Sequence, residues 1–215
     1  MPREEEISSS GGALTVAFQS PLQSHQGQTR QVMFVDPDSA PQPTGVFGSF
    51  EEATRYLERA SALMGVNHLA YTLMRSVDGA PELAAWVATY DPAYMSYYME
   101  NHTQLGDPAF ETAFANNAVI DWVELLAHDP VSRELLVMSA RYGITKYGVS
   151  IPVMDGDFGS VLFSVNVKSN DEEWPTVQES LVKRFHPFAH YFHGRIKPLI
   201  ESRKLAEIKF PISLD

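Results

Sequence analysis

Two pairs of strand-like runs, the first opening on an alternating segment and each pair closed by a tight turn, restrict this chain more than any other feature. Residues 68–74 and 83–90 flank Gly79-Ala80-Pro81, and residues 149–153 and 160–167 flank Asp155-Gly156-Asp157. A period of two marks strands with distinct faces. A connection of a few residues joins strands antiparallel, because a parallel pair needs a crossover of a dozen or more. The stretches around these pairs carry helical spacing instead. Ser49 and Glu52 sit at capping-box spacing, and Phe50, Ala53, Tyr56, Leu57, Ala60 and Leu63 then recur at helical intervals up to a stop at Gly65. Residues 92–101 read as a helix rich in Tyr and Met. Asp107-Pro108 and Asp129-Pro130 each open a helix with Asp as cap and Pro at the first position, the second running to Tyr142 before Gly143. A long last helix begins near Trp174-Pro175 and runs to about Arg203, and Pro187 and Pro198 are expected to kink or split it. Helices before, between and after the strands should cover both sheet faces. The expected fold is a three-layer α/β/α sandwich around a central, mainly antiparallel sheet of about five strands.

The 215 residues fit one compact domain with tails, and 44% hydrophobic residues suffice for a core and for lining a pocket. Residues 1–45, with Ser8-Ser9-Ser10-Gly11-Gly12 and Pro37, Pro41 and Pro43, read as a partly disordered N-terminal extension. It holds two β-like runs, 14–18 and 32–35. Residues 46–205 form the expected domain, and 206–215 a linker stub. The absence of cysteine excludes disulfides, thiolate catalysis and zinc–thiolate sites, and suits a reducing cytoplasm. A net charge of −11 repels phosphate backbones and anionic membrane, so this chain should bind neither by itself. No apolar run approaches the roughly 20 residues of a spanning helix, and the start Met-Pro-Arg-Glu-Glu-Glu is not that of a signal peptide.

Catalytic patterns are absent: there is no Gly-rich phosphate loop, no Gly-x-Ser-x-Gly elbow and no His-Glu-x-x-His pair. His186, His190 and His193 follow one another at helical-turn spacing and could share a face. A metal-dependent hydrolase is the enzyme reading of those three. Solvated or core-edge histidines beside Pro187, with no carboxylate near in sequence, are the plainer one, and no metal site is expected. The segment from Tyr90 to Trp122 says more. Tyr90 ends a strand, Tyr94 and Tyr98 lie one helical turn apart, Asp107 begins the next helix and Trp122 follows. Rings converging on one carboxylate describe a pocket for a small, mostly apolar ligand with a polar head. Equally, Asp107 can be a helix cap and the tyrosines core margin.

The ordered set Tyr90, Tyr94, Tyr98, Asp107-Pro108, Trp122 and Gly148-Val149-Ser150-Ile151-Pro152 resembles the autoinducer-binding domain of LuxR-type quorum-sensing transcription regulators, over about residues 49–203. The resemblance implies a ligand-binding sensor domain, not an enzyme, that takes an N-acyl-homoserine lactone and needs no cofactor. It implies that Asp107 accepts from the ligand amide N–H, that Tyr90 donates to the acyl carbonyl with Ser164 helping, that Tyr94 faces the lactone carbonyl, and that Tyr98 and Trp122 wall the site. It also implies a cytoplasmic homodimer that reaches DNA only through a helix-turn-helix, a module this chain does not contain before it stops at Asp215. The chain departs from the pattern at Tyr94, where most members carry Trp, at Pro92, displaced from directly after the first Tyr, by one extra residue between Gly143 and Gly148, and in its long N-terminal extension. Two alternatives stand beside this reading: a receptor-like domain that inhibits a full-length relative by heterodimerisation, and a receptor for a non-lactone signal.

Overall fold

The strand-forming runs pair as their turns dictate. In the computed structural model, which describes residues 45–78, 80–101 and 107–202, β1 (His68–Val77) and β2 (Ala80–Ala88) form an antiparallel hairpin with Val77 opposite Ala80 and Ala70 opposite Ala88. A two-residue β3 (Ile120–Asp121), β4 (Gly148–Asp155) and β5 (Gly159–Asn166) complete one sheet, ordered β2-β1-β5-β4-β3 with every pairing antiparallel. The first hairpin is longer at its turn than the alternation suggests. Its register shifts between Leu73 and Met74, and Ala84 and Ala85 are both buried there. Such a bulge breaks the period of two on which the sequence reading relied. β3 is too short to show a period at all.

One sheet face is apolar and packs under two helices, α1 (Phe50–Met64) and a long C-terminal helix. Leu69, Tyr71 and Leu73 of β1, Val149, Ile151 and Val153 of β4, and Val161, Phe163 and Val165 of β5 all join that core. The intervening residues face the other way, under α2 (Pro92–Glu100), α3 (Pro108–Asn116), α4 (Trp122–His128) and α5 (Pro130–Ser139). The result is the expected three-layer sandwich. No described helix is long and apolar enough to cross a membrane.

Aspartates punctuate the second helical layer. The carboxylates of Asp91, Asp107, Asp121 and Asp129 accept from the amides of Ala93, Ala109, Val123 and Ser132, and so cap α2 to α5 in turn. Proline follows three of the four, pre-setting the first helical φ at a position whose N–H has no intrahelical partner. In α1, Ser49 accepts from Glu52 N at 3.1 Å, but the Glu52 carboxylate reaches back to Gly48 N at 2.8 Å rather than to Ser49. Gly65 closes α1 in the left-handed region, φ 67°.

The C-terminal helix, α6 (Trp174–Ser202), is continuous through Pro187 and Pro198, so the expected split does not occur. Both prolines lie on its exposed side, as do Lys183 and Gly194, whose carbonyls lose an amide partner there. Water can satisfy those carbonyls. The helix is held by its buried face, which includes Leu181, Phe185, Phe188, Phe192, Ile196 and Ile200. The β-like runs at 14–18 and 32–35 and the stub at 206–215 lie outside the described residues.

Candidate functional site

The side of the sheet away from α1 and α6 is not filled by side chains alone. Between it and α2 to α5 lies a cavity with about 110 Å³ open to the centres of water-sized molecules. One water needs roughly 10–15 Å³ by that measure, so the space suits a small organic molecule. Tyr90, Tyr94, Tyr98, Asp107, Trp122 and Ser164 all line it. The structure therefore brings together all six residues singled out from the sequence.

Asp107 both caps its helix and borders the cavity. Its Oδ1 accepts from Ala109 N at 2.9 Å and caps α3, while its Oδ2 accepts from the Tyr98 hydroxyl at 2.7 Å and borders the cavity. Asp107 keeps some accessible surface, yet protein surrounds it densely enough that burial pushes its carboxyl above the usual carboxylate range. The bonds from Tyr98 and the Ala109 amide oppose that shift.

The tyrosines form a continuous set of rings. Tyr94 meets Tyr90 edge-on at 5.4 Å between centroids and Tyr98 at 5.9 Å, and Trp86 stands 5.2 Å from Tyr98. Burial raises all three phenols, Tyr94 to about 12, so each stays protonated and able to donate. Tyr98 directs its proton to Asp107. The Ser139 hydroxyl lies 3.0 Å from the Tyr94 hydroxyl and 2.7 Å from the Leu135 carbonyl. Tyr90 makes no hydrogen bond through its hydroxyl among the described residues, so its proton is uncommitted.

At the far wall, Trp122 is more than a spacer. Its Nε1–H donates to Ser150 Oγ at 2.8 Å, and Ser150 Oγ lies 2.9 Å from Ser164 Oγ. The indole lies against Gly148, where a Cβ would come within 2.5 Å of Cε3 and 2.6 Å of Cδ2. This close approach is why a glycine starts β4.

The sequence reading missed Trp86, Ser139 and Ser150, which also line the cavity. Ser150 points to the same face as Ser164, its cross-strand partner. The three late histidines separate: His186 and His190 are exposed, with ring centroids 5.0 Å apart. His193 is buried on the opposite side of the sheet from the cavity, between the Tyr71 hydroxyl at 2.9 Å and Asp155 Oδ2 at 2.8 Å. Among the described residues no group of three metal-ligating side chains is arranged to hold an ion.

The chain has counterparts among known proteins. The family model described as autoinducer binding domain matches residues 49–196. No curated protein sequence matches the chain significantly. Among solved structures, the chain is similar to the N-acylhomoserine-lactone-dependent LuxR-family transcription factor CepR2 of Burkholderia cenocepacia, with 18% identity and a TM-score of 0.56 over 70% of this chain and 86% of that one. SdiA of Escherichia coli is similar at 16% identity and a TM-score of 0.50, over 72% of this chain and 64% of that one. At such identities these two neighbours speak for the fold, and the match over residues 49–196 speaks for the family. The chain belongs to the autoinducer-binding domains of LuxR-type quorum-sensing regulators, which are signal receptors and not enzymes.

Proposed function

We propose that this domain binds an N-acyl-homoserine lactone, or a signal with the same amide core, in the cavity beneath α2 to α5. The observation that carries the reading is the Asp107 carboxylate, turned onto an otherwise largely apolar cavity with a Tyr90 hydroxyl, engaged by none of the described residues, lining the same space. An amide offers one donor and one acceptor side by side. Its N–H would bond Asp107 and its carbonyl would accept from Tyr90 and Ser164. Tyr94 would face the lactone carbonyl, its hydroxyl 3.0 Å from Ser139 Oγ. Tyr98 and Trp122 would wall the head group, and the leucines at 125, 126, 135 and 136 would take the acyl chain. Asp107 gains a partner in the bound state, so the ligand completes the core and stabilises the fold by mass action. The receptor would act in the cytoplasm as a homodimer, reaching DNA through a separate helix-turn-helix. Tyr94 in place of the usual Trp favours one second reading, a signal whose head group is not a lactone.

The test is calorimetric titration with N-acyl-homoserine lactones of several chain lengths, with mass spectrometry of anything extracted from the purified protein. Saturable binding supports the reading, and silence toward every lactone removes it. A different co-purified small molecule would establish the non-lactone alternative. Sedimentation of the same samples reads the homodimer.

Binding should also depend on pH. The folded-state pKa of Asp107 lies above its ordinary value of 3.8. By this group alone, the unliganded fold is favoured most below that value and loses the contribution as pH rises through the raised pKa. An N–H donor prefers the carboxylate, so ligand binding releases a proton from the fraction of Asp107 that is protonated. Affinity should therefore fall as pH is lowered through the raised pKa. Calorimetry at descending pH, carried down into the ordinary carboxylate range in buffers of different ionisation enthalpy, measures both effects. Constant affinity without proton release would contradict the assignment of Asp107.

A further inference from the structure

We infer that Ser150 is a positioning residue that aims the Ser164 hydroxyl proton into the cavity, as the middle link of a one-way chain from Trp122. The inference rests on the receptor reading above. Each hydroxyl has a single proton, and counting protons fixes the direction. An indole N–H can only donate, so Ser150 Oγ accepts from Trp122 Nε1 at 2.8 Å. Ser150 is 1% exposed, and among the described residues the one further polar atom bonded to its hydroxyl is Ser164 Oγ at 2.9 Å. Were Ser164 the donor, the Ser150 proton would have no acceptor among the described residues and, at 1% exposure against 9% for Ser164, less access to the cavity, a costly arrangement. Ser150 therefore donates to Ser164.

The Ser164 proton is then left over. Ser164 lines the cavity, 9% exposed, and no other acceptor takes its proton among the described residues. It points to the ligand space as a hydrogen-bond donor. The chain also polarises it, since a hydroxyl that accepts from a donating hydroxyl donates more strongly itself. The register supports the geometry: Ser150 and Ser164 are directly opposite on the two central strands β4 and β5, and both face the cavity. Ser164 is thereby committed to an acceptor on the ligand, such as the acyl carbonyl, and is a poor partner for a second donor.

A double-mutant cycle tests this with an N-acyl-homoserine lactone that the wild-type protein binds. Ser164→Ala and Ser150→Ala should each weaken binding by about tenfold, the worth of one hydrogen bond. The double variant should be no weaker than Ser164→Ala alone, because Ser150 acts only through Ser164. Losses that multiply in the double variant would mean that Ser150 contacts the ligand or supports the fold independently, and would overturn the inference while leaving the receptor reading intact. Wild-type silence toward every lactone overturns both. If Ser150→Ala does not fold, Ser150→Thr and Ser150→Val replace it. They share one shape, and only Thr keeps the hydroxyl, so Thr should bind about tenfold more tightly than Val. Equal affinities for the two would also overturn the inference.

Discussion

Asp107→Asn is expected to weaken lactone binding by roughly 10- to 150-fold, the equivalent of about 1.5–3 kcal/mol for a bond to a charged group. The same substitution should leave the fold close to wild type. The two oxygens of Asp107 have different duties, and Asn can meet only one of them. Oδ1 caps α3 through Ala109 N, and Asn serves as well as Asp in that position. With its oxygen turned to the cap, the Asn side chain presents an NH₂ group where Oδ2 now receives the Tyr98 hydroxyl. Tyr98 can rotate its proton and accept instead. The ligand amide N–H cannot, and would meet a donor head-on. Calorimetry should therefore show the loss while the melting temperature of the unliganded variant stays within a few degrees of wild type or rises, since burial of an ionised carboxyl has been relieved. Asp107→Ala separates the effects, because it also removes the cap, at about 1 kcal/mol. Unchanged affinity in Asp107→Asn would show that Asp107 is a helix cap and nothing more.

The two duties of Asp107 explain what the sequence could and could not disclose. An Asp-Pro pair before an apolar helix signals a cap by local chemistry alone, and the cap is there. Where the second carboxylate oxygen points depends on how α3 sits on the sheet, which no local spacing states. The same division runs through the fold. The hairpins were legible because alternation and turns are local. The bulge near Leu73 was not, since two consecutive inward alanines, Ala84 and Ala85, look like lost period. The four Asp caps share one chemistry, but the cap of α4 has no Pro after its Asp121 to mark the start of a helix. Pro187 and Pro198 misled in the opposite direction. Their cost is local and visible, whereas the aromatic face that outweighs it, Phe185, Phe188 and Phe192 packed on Phe163 and on one another, is assembled only in three dimensions. In the site, tyrosines and Trp122 announced themselves by size. Ser150 did not, because a serine in a strand carries meaning only once its neighbours across the sheet are known.

Gly148→Ala should damage stability and binding together, because one methyl group strikes both. The added Cβ would fall 2.5, 2.6 and 2.8 Å from Cε3, Cδ2 and Cζ3 of Trp122. These are atoms of a rigid ring, not the tip of a flexible side chain, so the indole must move as a body. It cannot move freely, since its Nε1–H is tied to Ser150 and its other neighbours are the helices that roof the cavity. Overpacking of this kind costs about 1–3 kcal/mol, which in a domain of this size lowers the melting temperature by roughly 2–12 °C. Displacing the ring also breaks the bond that starts the Trp122–Ser150–Ser164 chain, so lactone affinity should drop by about tenfold beyond any effect on folding. The decisive comparison is in a Trp122→Ala background. There the three closest contacts of the added methyl are gone, and Gly148→Ala should change the stability by little more than the roughly 0.5 kcal/mol typical of independent substitutions, a shift of about 1–2 °C in melting temperature. If the alanine is as costly without the indole as with it, the glycine answers to the backbone of β4, and Trp122 is held in the pocket wall by something other than its contact with residue 148.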